Sequence, residues 1–221
     1  RVTVDDEAIG VMGAEHFLDR GFRHFGFVGV EGPAYSEGRE RGFSRALGDD
    51  GHRMSGFRIT PADDEDGLER NQARLQRWLA GLSKPVAVMA ASDVVAWHVV
   101  AACRALDIRV PEEVAVLGVD DDAMVCELSR PQLSSVAVPW SQVGYRAAEL
   151  MDRMLAGEAP PEAPILLPPR EVVTRPSSDV LAVEESSNVR VGFGRLRVHS
   201  GEPEVCELTS IGVLESWRGQ G

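Results

Sequence analysis

Lysine is almost missing from this chain: of 23 basic residues, only Lys84 is a lysine. A mechanism needing a Schiff-base amine or a phosphate-binding ammonium has that single candidate, and Pro85 beside it marks a loop. Cysteine is scarce as well. Cys103, Cys126 and Cys206 are odd in number and show no C-x-x-C spacing, so neither a disulfide framework nor a zinc knuckle is indicated, and a reducing cytoplasm fits best. His16, His24, His52, His98 and His199 lack any HxxxH or HxH spacing, which argues against a metal site. No run approaches the roughly 18 consecutive apolar residues of a membrane span, and no charged-then-apolar leader opens the chain. There is no GxSxG and no phosphate loop, and Gly192-x-Gly194 lacks the third glycine of a dinucleotide turn. Positive charge is also short. With 35 acidic residues against 23 basic ones the formal net charge is -12, so this chain does not grip a nucleic-acid backbone or an anionic membrane by itself.

What is present is a repeating order of strand and helix over 221 residues, enough for one α/β unit or a unit and part of another. Asp5 or Asp6 can cap a helix with Ile9, Met12, Ala14, Phe17 and Leu18 on one face, ended by Gly21. HFGFVG at 24–29 reads as a short buried strand. A helix from about Ser36 to Leu47 follows, then a strand at 55–60 and a helix marked by Leu68, Leu75, Leu79 and Leu82. PVAVMAA at 85–91 is an unbroken apolar strand, with Ser92 placed to cap the helix that reaches Leu106. VAVLGV at 114–119 is the next strand. Short loops between strands and helices in this order predict a parallel sheet covered on both faces, with ligands beyond the carboxyl ends of the strands. After SSVAVP at 134–139, a helix from Trp140 to Ala156 carries Val143, Ala147, Leu150, Met151 and Met154 as an apolar stripe expected to face inward. Residues 157–176 hold six prolines around two short strand candidates, ILL and EVVTR. Beyond Ser177 the texture changes to two further strands in VRVGFGRLRVH and EVCELTSIGV.

The stretch AVLGVDDD, residues 115–122, runs an apolar strand into three adjacent carboxylates. Such a point must be solvated, bound to a cation, or facing hydrogen-bond donors. Asp120, Asp121 and Asp122 admit three readings: a solvated turn capping a short helix; a phosphoryl-accepting site with Mg²⁺, disfavoured without a lysine or glycine-rich amide cradle; and acceptors for a hydroxyl-rich neutral ligand such as a sugar. A carboxylate holds two adjacent hydroxyls while an arginine fork donates to others, so an Asp and an Arg can orient a polyol without catalysis. Arg39, opening its helix just after the strand at 24–29, is the natural partner, unless it is only a surface arginine paired with Glu37 or Glu40. Ser92 with Asp93 forms a third strand-end pair, or is plain helix capping. Tyr35 and Trp140 offer aromatic faces to sugar C–H groups, or are packing residues.

In order, VDDEAIGVMGAEHFLDRGFRHFGFVG, RERGF at 39–43, AASD at 90–93, RVPEEVAVLGVDDD and RPQLSSV resemble the effector-binding domain of lactose-repressor-type transcription regulators. VCELSRPQLSSVAVPWSQVGYRAAELM is most similar to xylose-operon regulators. The resemblance covers about residues 1–183 and implies a type I periplasmic-binding-protein-like fold, two lobes closing on a small sugar. It further implies that Arg39, of the R-x-x-G-aromatic motif with Gly42 and Phe43, and Asp120 bind sugar hydroxyls. The family's usual Asn-Asp is Ser92-Asp93 here, which moves weight to Asp93. On this pattern residues 6 to about 134 are a second lobe, nearly complete, the first lobe is truncated, and the helix from Trp140 exposes its apolar face. The implied partners are a xylose-like effector, a second copy of the chain, and DNA only through a domain absent from this sequence, with no cofactor and no membrane.

The final residues differ. EVCELTSIGVLESWRGQG is similar to the acetyl-CoA loop of GNAT acetyltransferases, in which the amides of an R-x-x-G-x-G/A turn hold pyrophosphate; Arg218, Gly219 and Gly221 would be its residues. The expected division is therefore 1–183, a non-catalytic sugar-sensing unit, and 184–221, a GNAT-like fragment or an unrelated tail. The alternatives are an acetyltransferase carried by that tail, or a periplasmic sugar-binding protein of the same fold.

Overall fold

In the computed structural model, residues 1–62 and 64–180 are described in full, and residues 192–198 and 206–213 by their backbone. The strands are β1 (Val2–Val4), β2 (His24–Val30), β3 (Met54–Ile59), β4 (Val86–Ala90), β5 (Val114–Asp120), β6 (Ser134–Ala137), β7 (Ile165–Leu167), β8 (Val172–Val173), β9 (Gly192–Val198) and β10 (Cys206–Val213). The helices are α1 (Asp6–Leu18), α2 (Ala34–Asp49), α3 (Glu65–Ala80), α4 (Asp93–Ala105), α5 (Ala123–Leu128) and α6 (Trp140–Leu155).

The main sheet has the order β3-β2-β4-β5-β6-β8. Its first five strands are parallel and β8 closes the edge antiparallel to β6. β4 is buried along its whole length and β5 up to its last residue, the continuous apolar runs expected of strands covered on both faces. On one face α1 and α2 bury Ile9, Phe17, Phe43 and Leu47 against Phe25, Phe27, Met89 and Leu117. On the other, α3, α4 and α5 bury Leu75, Leu79, Val99, Cys103 and Cys126 against Val86, Val88, Val114 and Val116. Alternating residues of one strand thus serve two cores. Three helix starts use caps the sequence offered, Asp5 accepting from the Ala8 amide, Ser92 from Val95 and Asp122 from Met124, and α3 is capped by Asp64, which accepts from Gly67.

β1 and β7 form a separate parallel pair. The chain passes between the two sheets at Asp5, at Val138–Pro139 and at Pro168–Arg170. These crossings lie side by side, joined by Asp5 N donating to Leu167 O and Arg170 N donating to Ala137 O, at 2.8 and 2.9 Å. Two expectations are corrected here. The lobe does not stop near residue 134, because β6, β8 and the 4% exposed Val180 complete its sheet and core. And α6 carries its apolar stripe but buries none of its residues; Trp140, Tyr145, Met151 and Leu155 are exposed. The exposure matches what the family resemblance implies for this helix. β9 and β10 pair as an antiparallel hairpin, as the alternation of their residues predicts. Among the described residues, no helix is long and apolar enough to cross a membrane.

Candidate functional site

A cleft of about 1270 Å³ opens at the carboxyl ends of β4 and β5, bounded by the N-terminal turns of α1 and α2, by Trp140 of α6 and by the proline-rich crossing. Arg39 stands at its centre. It is 3% exposed, and its guanidinium is fixed on three sides: Nε donates to Asp6 Oδ1 at 3.0 Å, Nη1 donates to Ala91 O at 2.5 Å, and Nη2 lies 3.6 Å from Asp120 Oδ1. The Tyr35 ring lies 5.0 Å from Arg39 Cζ, one helical turn before it on α2. One side chain thereby ties the ends of α1, α2, β4 and β5 together.

Three glycines make this approach possible. A Cβ on Gly42 would stand 2.0 Å from Glu7 O, one on Gly10 2.1 Å from Arg39 O, and one on Gly38 2.8 Å from the Asp6 Cβ. With no side chain at these points, α1 and α2 pack backbone to backbone, which brings Asp6 within reach of Arg39.

The three adjacent aspartates have three separate roles. Asp120 turns to the cleft and to Arg39. Asp121 turns away and accepts from Arg175 Nη2 at 2.8 Å. Asp122 caps α5, so the helix-capping reading holds for this residue. Asp120 and Asp121 have φ of 114° and 55°, a left-handed backbone that non-glycine residues adopt at a cost of order 1–3 kcal/mol each, met by surrounding contacts.

Burial pushes the Asp120 carboxyl above the usual carboxylate range, with the Arg39 charge pulling the other way; Asp6 is raised for the same reasons. Asp120 Oδ1 is buried and has no hydrogen-bond partner among the described residues. At 3.6 Å the Arg39 contact is an ion pair too long for a hydrogen bond. A buried acceptor in a cleft calls for a donor from outside the protein.

The structure therefore brings Arg39, Asp120, Ser92 and Tyr35 to one cleft, and adds Asp6, which the sequence offered only as a helix cap. The doublet Asp5-Asp6 was the available signal: Asp5 takes the cap, leaving its neighbour for Arg39. Asp93 is a correction. It is 1% exposed, and its carboxylate accepts from Ser135 Oγ at 2.6 Å and from Asp122 N at 2.8 Å, behind the turn and away from the cleft lining. Arg218, Gly219 and Gly221 lie outside the described residues.

A parallel α/β lobe with a polar cleft at its strand ends, hinged by adjacent crossings to a second sheet, defines the class. Residues 14–178 match the model of the periplasmic binding protein-like domain. The chain belongs to that family, and the resemblance to lactose-repressor-type effector-binding domains read from its motifs holds. It is 30% identical over 195 residues to the xylose operon regulatory protein of Escherichia coli (strain K12), covering 86% of this chain and 49% of that protein. It is 28% identical over 180 residues to the HTH-type transcriptional regulator DegA of Bacillus subtilis (strain 168), covering 80% and 52%. Among solved structures it is similar to the xylose-binding transcription activator xylR, with a TM-score of 0.75 and 30% identity over 85% of this chain and 50% of that one. The complex of the transcriptional regulator CelR with cellobiose gives 0.65 and 26% over 80% and 53%. The chain spans about half the length of the curated relatives it matches.

Proposed function

We propose that residues 1–183 form the sugar-binding, non-catalytic effector domain of a cytoplasmic transcription regulator, and that its effector is a xylose-like pentose. The observation that carries this reading is the buried Asp120 Oδ1, ion-paired with an immobilised Arg39 but without a hydrogen bond among the described residues. Adjacent sugar hydroxyls donate to Asp120 and Asp6, guanidinium donors that remain free take a ring or hydroxyl oxygen, and Tyr35 and Trp140 offer C–H-binding faces. A neutral ligand suits carboxylates already raised by burial, because it adds no charge to a desolvated site. Similarity to the xylose operon regulatory protein, to the xylose-binding transcription activator and to the cellobiose-bound CelR supports a sugar as the ligand class.

On this reading the exposed stripe of α6 and the β1–β7 pair belong to a first lobe, and sugar favours the closed arrangement of the lobes by its higher affinity for that state. Residues 184–221 are a separate segment, a division supported by the family match ending at 178. The regulator works as a homodimer, for which Val94 and Trp97 of α4 and Met124 and Leu128 of α5, all exposed, provide apolar surface. DNA is reached through another part of the protein, in keeping with the net charge of -12. A titration of the ¹⁵N-labelled chain with D-xylose, L-arabinose and D-ribose tests the proposal: D-xylose shifts the amides of Ser92 and Asp120–Asp122 and the Arg39 Nε–H signal at the lowest concentration. Saturating pentose without any shift at these positions contradicts it.

A further inference from the structure

Asp93 is a buried carboxylate outside the cleft lining, on the first residue of α4, with hydrogen-bond partners in the β5–α5 turn, on β6 and on α5. Its Oδ2 accepts from Asp122 N at 2.8 Å, and its Oδ1 accepts from Ser135 Oγ at 2.6 Å. The same Ser135 Oγ accepts from Asp121 N at 3.0 Å. Two successive amides of the turn thus end, directly or through one hydroxyl, on a single carboxylate. Those amides follow the two residues with positive φ, Asp120 and Asp121. Gly118 leaves room for the arrangement: a Cβ there would stand 2.2 Å from Asp93 Oδ1.

We propose that Asp93 is a positioning residue for the ligand site: by holding the Asp121 and Asp122 amides it keeps the Asp120–Asp121 backbone in its left-handed conformation and the Asp120 carboxylate in the cleft. This rests on the proposal that Asp120 binds the sugar. A left-handed conformation at two consecutive non-glycine residues relaxes unless its surroundings hold it, and these two amides tie the turn to α4 and β6 in addition to the Asp120–Ala137 strand pairing and the Arg175–Asp121 ion pair. If the grip loosens, Asp120 leaves its place 3.6 Å from Arg39 although neither residue has changed.

The clamp carries a charge that can be removed. The groups facing Asp93 are Asp120, Asp121 and Asp122 from the turn and the Cys126 thiol from α5, with Arg175 reaching the turn through Asp121 and Arg39 through Asp120. Burial raises Asp93 to about 6, opposed by its hydrogen bonds from Ser135, Asp122 and Cys126. A protonated Asp93 is a weaker acceptor for the Asp122 amide, so the clamp loosens as pH falls through about 6.

The test compares the wild-type chain, residues 1–221, with Asp93→Asn and Ser135→Ala. Amide hydrogen exchange at Asp121 and Asp122 is read in the free proteins, and D-xylose affinity is read at pH 5 to 8. Exchange at both amides rises about tenfold or more in Asp93→Asn, and D-xylose binds about tenfold more weakly, the size expected for losing a charge-assisted hydrogen bond. The wild-type affinity falls toward that of the variant as pH drops through about 6, which a merely structural role would not produce. Ser135→Ala retains the charge and frees only the Asp121 amide, so it keeps the question open to test if Asp93→Asn does not fold. Wild-type exchange rates at both amides in Asp93→Asn, or matching pH profiles of affinity, overturn the proposal. If the wild-type chain fails to bind D-xylose, the ligand assignment falls, and the exchange rates of the free proteins still decide the clamp.

Discussion

Gly42→Ala tests how the site is assembled without touching any group in it. The added methyl would stand 2.0 Å from Glu7 O and 2.8 Å from Glu7 C, against an ordinary contact of about 3.4 Å or more. Both obstacles are backbone, so no side chain can swing aside and α1 must separate from α2 by more than about 1 Å. Overpacking of this kind costs roughly 1–3 kcal/mol. The displaced residue lies next to Asp6, whose 3.0 Å hydrogen bond to Arg39 does not survive such a shift, at a further cost of about 1.5–3 kcal/mol for a charge-assisted bond. The expected loss is about 2.5–6 kcal/mol in urea denaturation, with D-xylose affinity lost alongside it. Gly48→Ala on the same helix is the control. Nothing lies within 4 Å of the Cβ it would add, and helix propensity gives it up to about 1 kcal/mol of added stability. Equal stability of the two variants, at equal m-values, would refute the claim that close helix packing sets the Asp6–Arg39 contact.

His16 is neutral in the folded chain, since burial and the nearby Arg20 charge lower it to about 3, and its Nε2 is 2.8 Å from Ser178 Oγ. Its folded value lies below the unfolded one, so the unfolded state takes up the proton first. Stability from this group is whole above about pH 6.5 and falls by about 1.4 kcal/mol per unit below it, about 2 kcal/mol by pH 5. His16→Gln removes that slope between pH 7 and 5 in paired urea titrations; an unchanged slope shows that His16 is not the group responsible. Asp93 has the opposite sign: with a folded value of about 6, above its unfolded 3.8, it adds stability as pH falls through 6, and Asp93→Asn removes that gain. Under the proposed homodimer, Trp97→Asp, which places a charge in the exposed apolar surface of α4, lowers the sedimentation coefficient of the chain to that of a monomer; sedimentation identical to wild type contradicts an interface on this surface.

Much of the sheet and its helices is legible because β4 and β5 are unbroken apolar runs and α1, α4 and α5 start at capping residues Asp5, Ser92 and Asp122. The convergence of Arg39 and Asp120 was legible for a related reason: both follow strand ends, and a parallel sheet gathers those ends on one edge. The choice among three adjacent aspartates was not, because it depends on two positive φ values and on Arg175, 54 residues away in sequence. Asp93 was read as a ligand contact because local pattern cannot show Ser135 reaching it from β6. The extent of the lobe is not legible because the strand signal of EVVTR does not show that β8 returns to pair with β6.

In the proposed site the Asp120 carboxylate and the Arg39 fork bind one sugar between them. Titration of D-xylose into the wild-type chain and into Asp120→Asn, followed by calorimetry or amide shifts, tests it most directly. Removing the charged acceptor weakens binding by about 1.5–3 kcal/mol, on the order of ten- to a hundredfold, with the fold intact. Affinity unchanged in Asp120→Asn would contradict the account.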